Sequence, residues 1–268
     1  MDFRDAYMKV HPSVVGIGYQ SDNALEILGT GFVVTGDGWI MTNRHVLTET
    51  VEGGVTFRDD VKISLFMSND VLVRGISEYN IYPSFQNSIQ KPGFSADTHE
   101  IILASIANYS PEPPDISYLK IDPPSGHTLF PIQMGNSTDV SVGTPIGVIG
   151  FPQGIQIPSS RDATLELAPV FQAGTIAALL PSPSFGGVER YALDLFVNTG
   201  SSGSPVFLAD GKVIGIIMQT RELKAFLLTY KGRLTSTAMP ERKETGLGYA
   251  IPQARFPTND RESRIKVH

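Results

Sequence analysis

Glycine and proline interrupt this chain every few residues, with 26 and 19 of them spread through 268 positions. Proline cannot donate the helical hydrogen bond and glycine weakens a helix interior. The runs between them are therefore too short for long helices. They are rich in Val, Ile, Phe and Thr, which suit a pleated, half-buried surface. Positions 14–19, 28–34, 39–42, 61–66, 71–76, 116–121, 144–150, 170–177, 191–196, 206–208, 213–218 and 247–251 all read as strands. Gly36-Asp37-Gly38 makes a hairpin turn between two of them, and Asn69-Asp70 turns the chain between two others. Many short strands at this spacing predict an all-β protein, a sandwich or a pair of barrels.

The pattern weakens over about 78–114, where aromatic, Pro, Ser and Asn residues mix around one apolar run at 101–106. This reads as an insertion, and a segment of that length is functional or partly ordered. The Pro-Pro pair at 123–124 looks like a linker between halves. Two units are expected, 1–124 and 125–268, the second ending in a polar tail from about 253, in which 260–266 reads equally as a final helix or a frayed end.

Composition narrows the function. The net charge is −6 with no basic cluster, which argues against a nucleic-acid partner. There are no cysteines, so disulfides, thiol catalysis and zinc–thiolate sites are excluded. His11, His45, His99, His127 and His268 match no metal spacing, and neither metal nor cofactor is expected. Met1-Asp2-Phe3-Arg4-Asp5 lacks the apolar core of a signal peptide, and no apolar run approaches a membrane span. The expected location is the cytoplasm, a trimmed exported form being the competing explanation.

One stretch concentrates chemistry. Gly200-Ser201-Ser202-Gly203-Ser204 lies between two apolar runs. Such a loop can hold a serine out toward a substrate with backbone amides beside it, as acyl transfer requires. The same residues also suit a plain Ser/Gly surface loop between strands. A serine hydroxyl needs a base, and the base needs an orienting acid. His45 stands at the end of the 39–42 strand, where a base is held rigidly. Asp115 follows the stiff Pro113-Pro114 pair and opens the 116–121 strand, whereas the rival Asp97 has no strand to fix it. His45, Asp115 and Ser202 then follow the chain order of chymotrypsin-type barrels.

With those residues in place the chain resembles a trypsin-like serine protease of the chymotrypsin fold, nearest in style to the cysteine-free HtrA/Deg-like branch. The resemblance is carried by Gly29-Thr30-Gly31-Phe32, Thr42-Asn43-Arg44-His45-Val46, Asp115 to Ile121, Met134-Gly135-Asn136-Ser137, Gly150-Phe151-Pro152, Gly200 to Pro205, Gly211 to Ile216 and Gly248 to Pro252. It spans about 12–252.

The resemblance implies two packed six-stranded antiparallel β-barrels with the site between them. It implies a serine endopeptidase in which Ser202 attacks, His45 carries the proton and Asp115 orients the imidazole, with the amides of Gly200 and Ser202 as the oxyanion hole. It places Phe196 and Val197 at the base of the S1 pocket, Asn198 beside it, and Ile217, Met218 and Gln219 along its wall. With no acid at that base, small or medium apolar P1 residues are expected. A polypeptide is the expected partner, with activation by another protein or by self-association left open. A catalytically silent binding module, or an all-β interaction protein, is the alternative.

Some residues depart from the family pattern. Arg44 replaces a small residue, Ser204 replaces a glycine, and Ser201 stands where trypsins carry the aspartate that pairs with a freed N-terminus. No activating N-terminal cleavage is therefore expected. The 70 positions between His45 and Asp115 are long for this branch, and only sixteen residues follow Pro252, so no PDZ module is expected.

Overall fold

A computed structural model of the protein describes residues 2–21, 24–51, 54–57, 64–73, 76–81, 89–90, 115–121, 128–152, 156–158, 165–167, 169–181, 187–218, 226–228, 234–236 and 248–256. The chain opens with α1 (Arg4–Val10). There follow β1 (Val14–Ser21), β2 (Ala24–Val33), β3 (Trp39–Thr42), the one-turn helix α2 (Arg44–Leu47), β4 (Thr48–Val51), β5 (Gly54–Phe57), β6 (Ser64–Val73), β7 (Ile76–Ile81), β8 (Ile89–Gln90) and β9 (Ser117–Ile121). The second half holds β10 (Pro145–Gly150), β11 (Gln156–Pro158), β12 (Leu165–Leu167), β13 (Val170–Pro181), β14 (Val188–Asp194), β15 (Pro205–Phe207), β16 (Val213–Met218), β17 (Phe226–Leu228), β18 (Leu234–Ser236) and β19 (Gly248–Pro252).

The fold is all-β, as the sequence pattern predicts. In the second half β10-β13-β14-β19-β16-β15 close into a six-stranded antiparallel barrel. In the first half seven of the nine described strands form one antiparallel sheet in the order β7-β6-β1-β2-β3-β9-β8, and β4 and β5 pair apart from it. At one edge β8 pairs with β9. The expected insertion thus begins inside β7 and returns a strand to the sheet edge; its apolar run at 101–106 lies outside the described residues, as does the tail at 260–266.

Side-chain alternation explains why these strands pack as they do. On β2 and β3 and the residue after β2, Phe32, Val34 and Met41 face one cluster while Val33 and Ile40 face another. A strand sends successive side chains to opposite faces. The 213–218 run is apolar throughout because β16 is buried on both sides. Val213 and Ile216 enter the cluster shared with the first sheet, and Ile214 and Ile217 enter the barrel interior. The shared cluster joins Phe32, Met41 and Tyr118 of the first half to Ile149, Phe151 and Phe207 of the second. Each such fully buried side chain contributes about 1.5–3 kcal/mol of transfer free energy.

Two features depart from the sequence reading. Asn69-Asp70 does not end a strand: β6 runs through it, and the β6–β7 ladder shifts register between Ser68 and Leu72. Short polar residues there accommodate a bulge as well as a turn. The helix α1 was not foreseen. Its apolar residues, together with Phe3 just before it, fall at helical spacing as Phe3, Ala6, Tyr7 and Val10. They lie on the second barrel, with the Phe3 ring 6.1 Å from Phe171 and 6.2 Å from Phe207, and Tyr7 5.9 Å from Phe171. No helix among the described residues is long and apolar enough to cross a membrane.

Candidate active site

His45 sits in α2, the single helical turn that follows β3 directly, and not on the strand end itself. Asn43, the residue before this turn, makes no side-chain cap to it. Its Nδ2 donates instead to the Asp115 carbonyl at 2.7 Å. Asp115 supplies the missing cap: its Oδ1 accepts the His45 backbone N–H at 3.1 Å. Its Oδ2 lies 2.5 Å from His45 Nδ1. The carboxylate therefore fixes both the backbone and the ring of His45. β9 brings it there, through the β3–β9 pairing of Thr42 with Ser117.

The Asp115 carboxyl feels opposing influences. Burial pushes its pKa up. The hydrogen bond from the His45 ring, the charge and backbone N–H of His45, and the charge of Arg44 outweigh burial and hold it below the usual value. Arg44 thus acts on the site by its charge. An ionised Asp115 requires a proton on His45 Nδ1, which leaves Nε2 as the basic nitrogen.

The serine loop is built from tight turns. Gly200 and Gly203 have φ of 89° and 88°. A Cβ at Gly203 would lie 1.8 Å from the Thr30 carbonyl oxygen, so no other residue fits there. Ser201 serves the turn internally. Its N–H donates to the Asn198 carbonyl at 2.9 Å, and its Oγ accepts the Asn198 N–H at 3.2 Å. Where trypsins place a carboxylate, this hydroxyl is satisfied by its own loop. The Ser201 carbonyl accepts the Ser204 N–H at 3.0 Å. A planar trans peptide then turns the Ser202 N–H the opposite way. Among the described residues, the amides of Gly200 and Ser202 donate to no protein acceptor.

The two halves of the site meet at Gly29. A Cβ there would fall 2.5 Å from a methyl of Val46, the neighbour of His45, and 3.0 Å from the Ser202 carbonyl oxygen. Ser202 is 2% exposed and the His45 side chain 37%. No hydrogen bond joins Ser202 to His45 among the described residues. Ser204 Oγ is buried without a partner. It occupies the space that a Cβ at Gly150 would need, 1.9 Å away.

The expected specificity residues are placed as follows. Val197 packs over Gly248, its Cγ2 2.4 Å from where a Cβ would stand. Ile217 is fully buried and Met218 half-buried. Asn198 is half-buried in the loop turn. Phe196 is 47% exposed and so is turned largely to solvent. Gln219 lies outside the described residues. Among the described residues no group of three His, Asp or Glu side chains gathers as a metal site.

Residues 29–216 match the model of the trypsin-like peptidase domain. The chain belongs to the trypsin-like peptidase family. Its relatives are of the HtrA kind. It is 30% identical over 195 residues to a probable periplasmic serine endoprotease, DegP-like, of Halomonas elongata, covering 72% of this chain and 29% of that protein. It is 27% identical over 238 residues to the magnetosome formation protease MamE of Paramagnetospirillum magneticum, covering 87% of this chain and 23% of the other. The chain thus spans under a third of the length of these relatives. Among solved structures, the HtrA-type protease AlgW with tripeptide superposes with a TM-score of 0.52 at 19% identity, over 95% of this chain and 60% of that one. That likeness establishes the chymotrypsin-like fold. These relatives also correct one expectation. The cytoplasmic location read from the N-terminus does not stand, because DegP-like relatives from several organisms carry a periplasmic designation.

Proposed function

We propose that this domain is a serine endopeptidase acting on polypeptides outside the cytoplasm. The observation that carries the reading is the two-point hold of Asp115 on His45, 3.1 Å to the backbone N–H and 2.5 Å to Nδ1. It supports one tautomer and one ring orientation, as a general base requires. Ser202 Oγ attacks the scissile carbonyl while its proton passes to His45 Nε2. The amides of Gly200 and Ser202 receive the developing oxyanion. The intermediate collapses as His45 gives the proton to the leaving amine, and an acyl-enzyme remains on Ser202. Water, deprotonated by His45, then releases the acid and restores the serine.

Small or medium apolar P1 residues fit this site best. Val197 fills the space over Gly248, and neither it nor the half-buried Met218 carries a charge. The reading of a silent binding module on the same fold is favoured by one observation, the lack of a Ser202–His45 hydrogen bond. In unliganded proteases that bond is often long and tightens only around substrate.

A P1-scanned peptide library tests both points. Cleavage after Ala, Val or similar residues, abolished by His45→Ala, is expected. Cleavage that survives His45→Ala, or a dominant Arg or Lys preference, contradicts the reading.

A further inference from the structure

Thr30, in the Gly29-Thr30-Gly31-Phe32 run, has no part in the triad, yet it bonds to the serine loop, to Phe151 and to the strand that leads into His45. It lies on β2 and is fully buried. Its Oγ1 donates to the Gly200 carbonyl at 2.8 Å and accepts the Phe151 N–H at 3.0 Å. Its backbone N–H donates to the Ser202 carbonyl at 2.7 Å. Its own carbonyl accepts the Thr42 hydroxyl at 2.7 Å, on the strand that leads into His45. One residue of the first sheet thus holds the serine loop on both sides of Ser201, and ties it to the residue after β10 and to Thr42 on β3.

These contacts fall on particular peptide groups. The Gly200 and Ser202 carbonyls are spent on Thr30, while the Gly200 and Ser202 amides are spent on no described acceptor. Fixing the Gly200 carbonyl fixes ψ of Gly200, a residue at φ 89° with no Cβ to restrict it. Fixing the Ser202 carbonyl does the same on the other side of the nucleophile. The Gly200–Ser201 peptide lies between the two amides, so that if it rotated, the Gly200 and Ser202 N–H groups would no longer converge. A hydroxyl does this work where a methyl cannot. It is both donor and acceptor, and so joins the Gly200 carbonyl to the Phe151 amide through one atom.

We propose that Thr30 is a positioning residue for the oxyanion hole, its hydroxyl fixing the Gly200–Ser201 peptide that lies between the Gly200 amide and the Ser202 amide. The proposal rests on the peptidase reading above, and it assigns to Thr30 no contact with substrate.

The test compares Thr30→Val, which keeps shape and loses the hydroxyl, with Thr30→Ser, which keeps the hydroxyl. Three quantities are read in the full chain: kcat and KM on a peptide substrate, and inhibition by a peptide boronate, whose tetrahedral adduct with serine places an oxygen in the hole. For Thr30→Val the expected result is a kcat lower by about 10- to 100-fold, with KM within about threefold and boronate affinity falling in step with kcat. Thr30→Ser is expected to stay within about twofold of wild type on all three. If Thr30→Val does not fold, Thr30→Cys, a weaker donor of similar shape, is expected to show the same split in smaller measure. A hydroxyl-free variant that keeps wild-type kcat and boronate affinity overturns the proposal. So does a variant that loses substrate binding and kcat alike, or Thr30→Ser falling as far as Thr30→Val. Each of these leaves the peptidase reading standing. A folded wild type that hydrolyses no peptide and takes up no boronate overturns that reading, and the proposal with it.

Discussion

Asp115 holds His45 at two points, accepting the backbone N–H at Oδ1 and facing ring Nδ1 with Oδ2. The same carboxylate caps the helical turn and selects the tautomer, so one residue links local folding to chemistry. Asp115→Asn separates the two roles. The amide oxygen can still cap the turn, but an amide N–H toward Nδ1 reverses the tautomer. The expected result is a kcat lower by about 10³- to 10⁴-fold with the fold retained, read by peptide hydrolysis and circular dichroism.

The depressed pKa of Asp115 also gives a stability signature. Its folded value lies below the ordinary 3.8, so its contribution is present above that pH and is lost as pH falls through the folded value. Urea unfolding of wild type and Asp115→Asn should therefore differ near neutral pH and converge below about pH 3.8. An undiminished difference in acid would contradict the sign of the shift.

Gly143 and Gly203 share a positive φ, 85° and 88°, but not their surroundings. A Cβ at Gly143 meets nothing within 4 Å, whereas one at Gly203 falls 1.8 Å from the Thr30 carbonyl. Gly143→Ala is expected to cost about 1–2 kcal/mol of stability through backbone strain alone. Gly203→Ala should cost more than about 3 kcal/mol and remove activity with it, by denaturant titration and peptide hydrolysis.

How far the sequence carries the account is visible in particular residues. The strands at 39–42 and 213–218 were legible to the residue, because apolar runs bounded by Gly, Asp and Asn can do little else. His45 and Asp115 were legible by their motifs, and the structure brings them together. The helix α1 was not, because its stripe of Phe3, Ala6, Tyr7 and Val10 lies in a short polar segment whose stability comes from Phe171 and Phe207, far along the chain. Asn69-Asp70 misled because a bulge and a turn call for the same residue types. The hydrogen bonds of Thr30 had no sequence signal, since they depend on which strands become neighbours. The periplasmic relatives overturned a location read from the N-terminal residues, the absent cysteines and the lack of an apolar span.

Tyr191 offers a control distant from the chemistry. It is fully buried, and its hydroxyl donates to the Ser137 carbonyl at 2.6 Å. Burial pushes its pKa up to about 12. Tyr191→Phe leaves that carbonyl unpaired and should lower stability by about 1–3 kcal/mol while kcat stays unchanged, read by thermal unfolding and peptide hydrolysis.

We propose Ser202 as a nucleophile activated by His45, in a loop whose Gly200 and Ser202 amides donate to no described acceptor. Labelling with a fluorophosphonate probe tests it most directly, since the probe forms a covalent bond only with an activated serine. Folded wild type should label at Ser202, and Ser202→Ala and His45→Ala should not. A folded wild type that takes up no probe, or a Ser202→Ala variant that labels as well as wild type, would contradict the account.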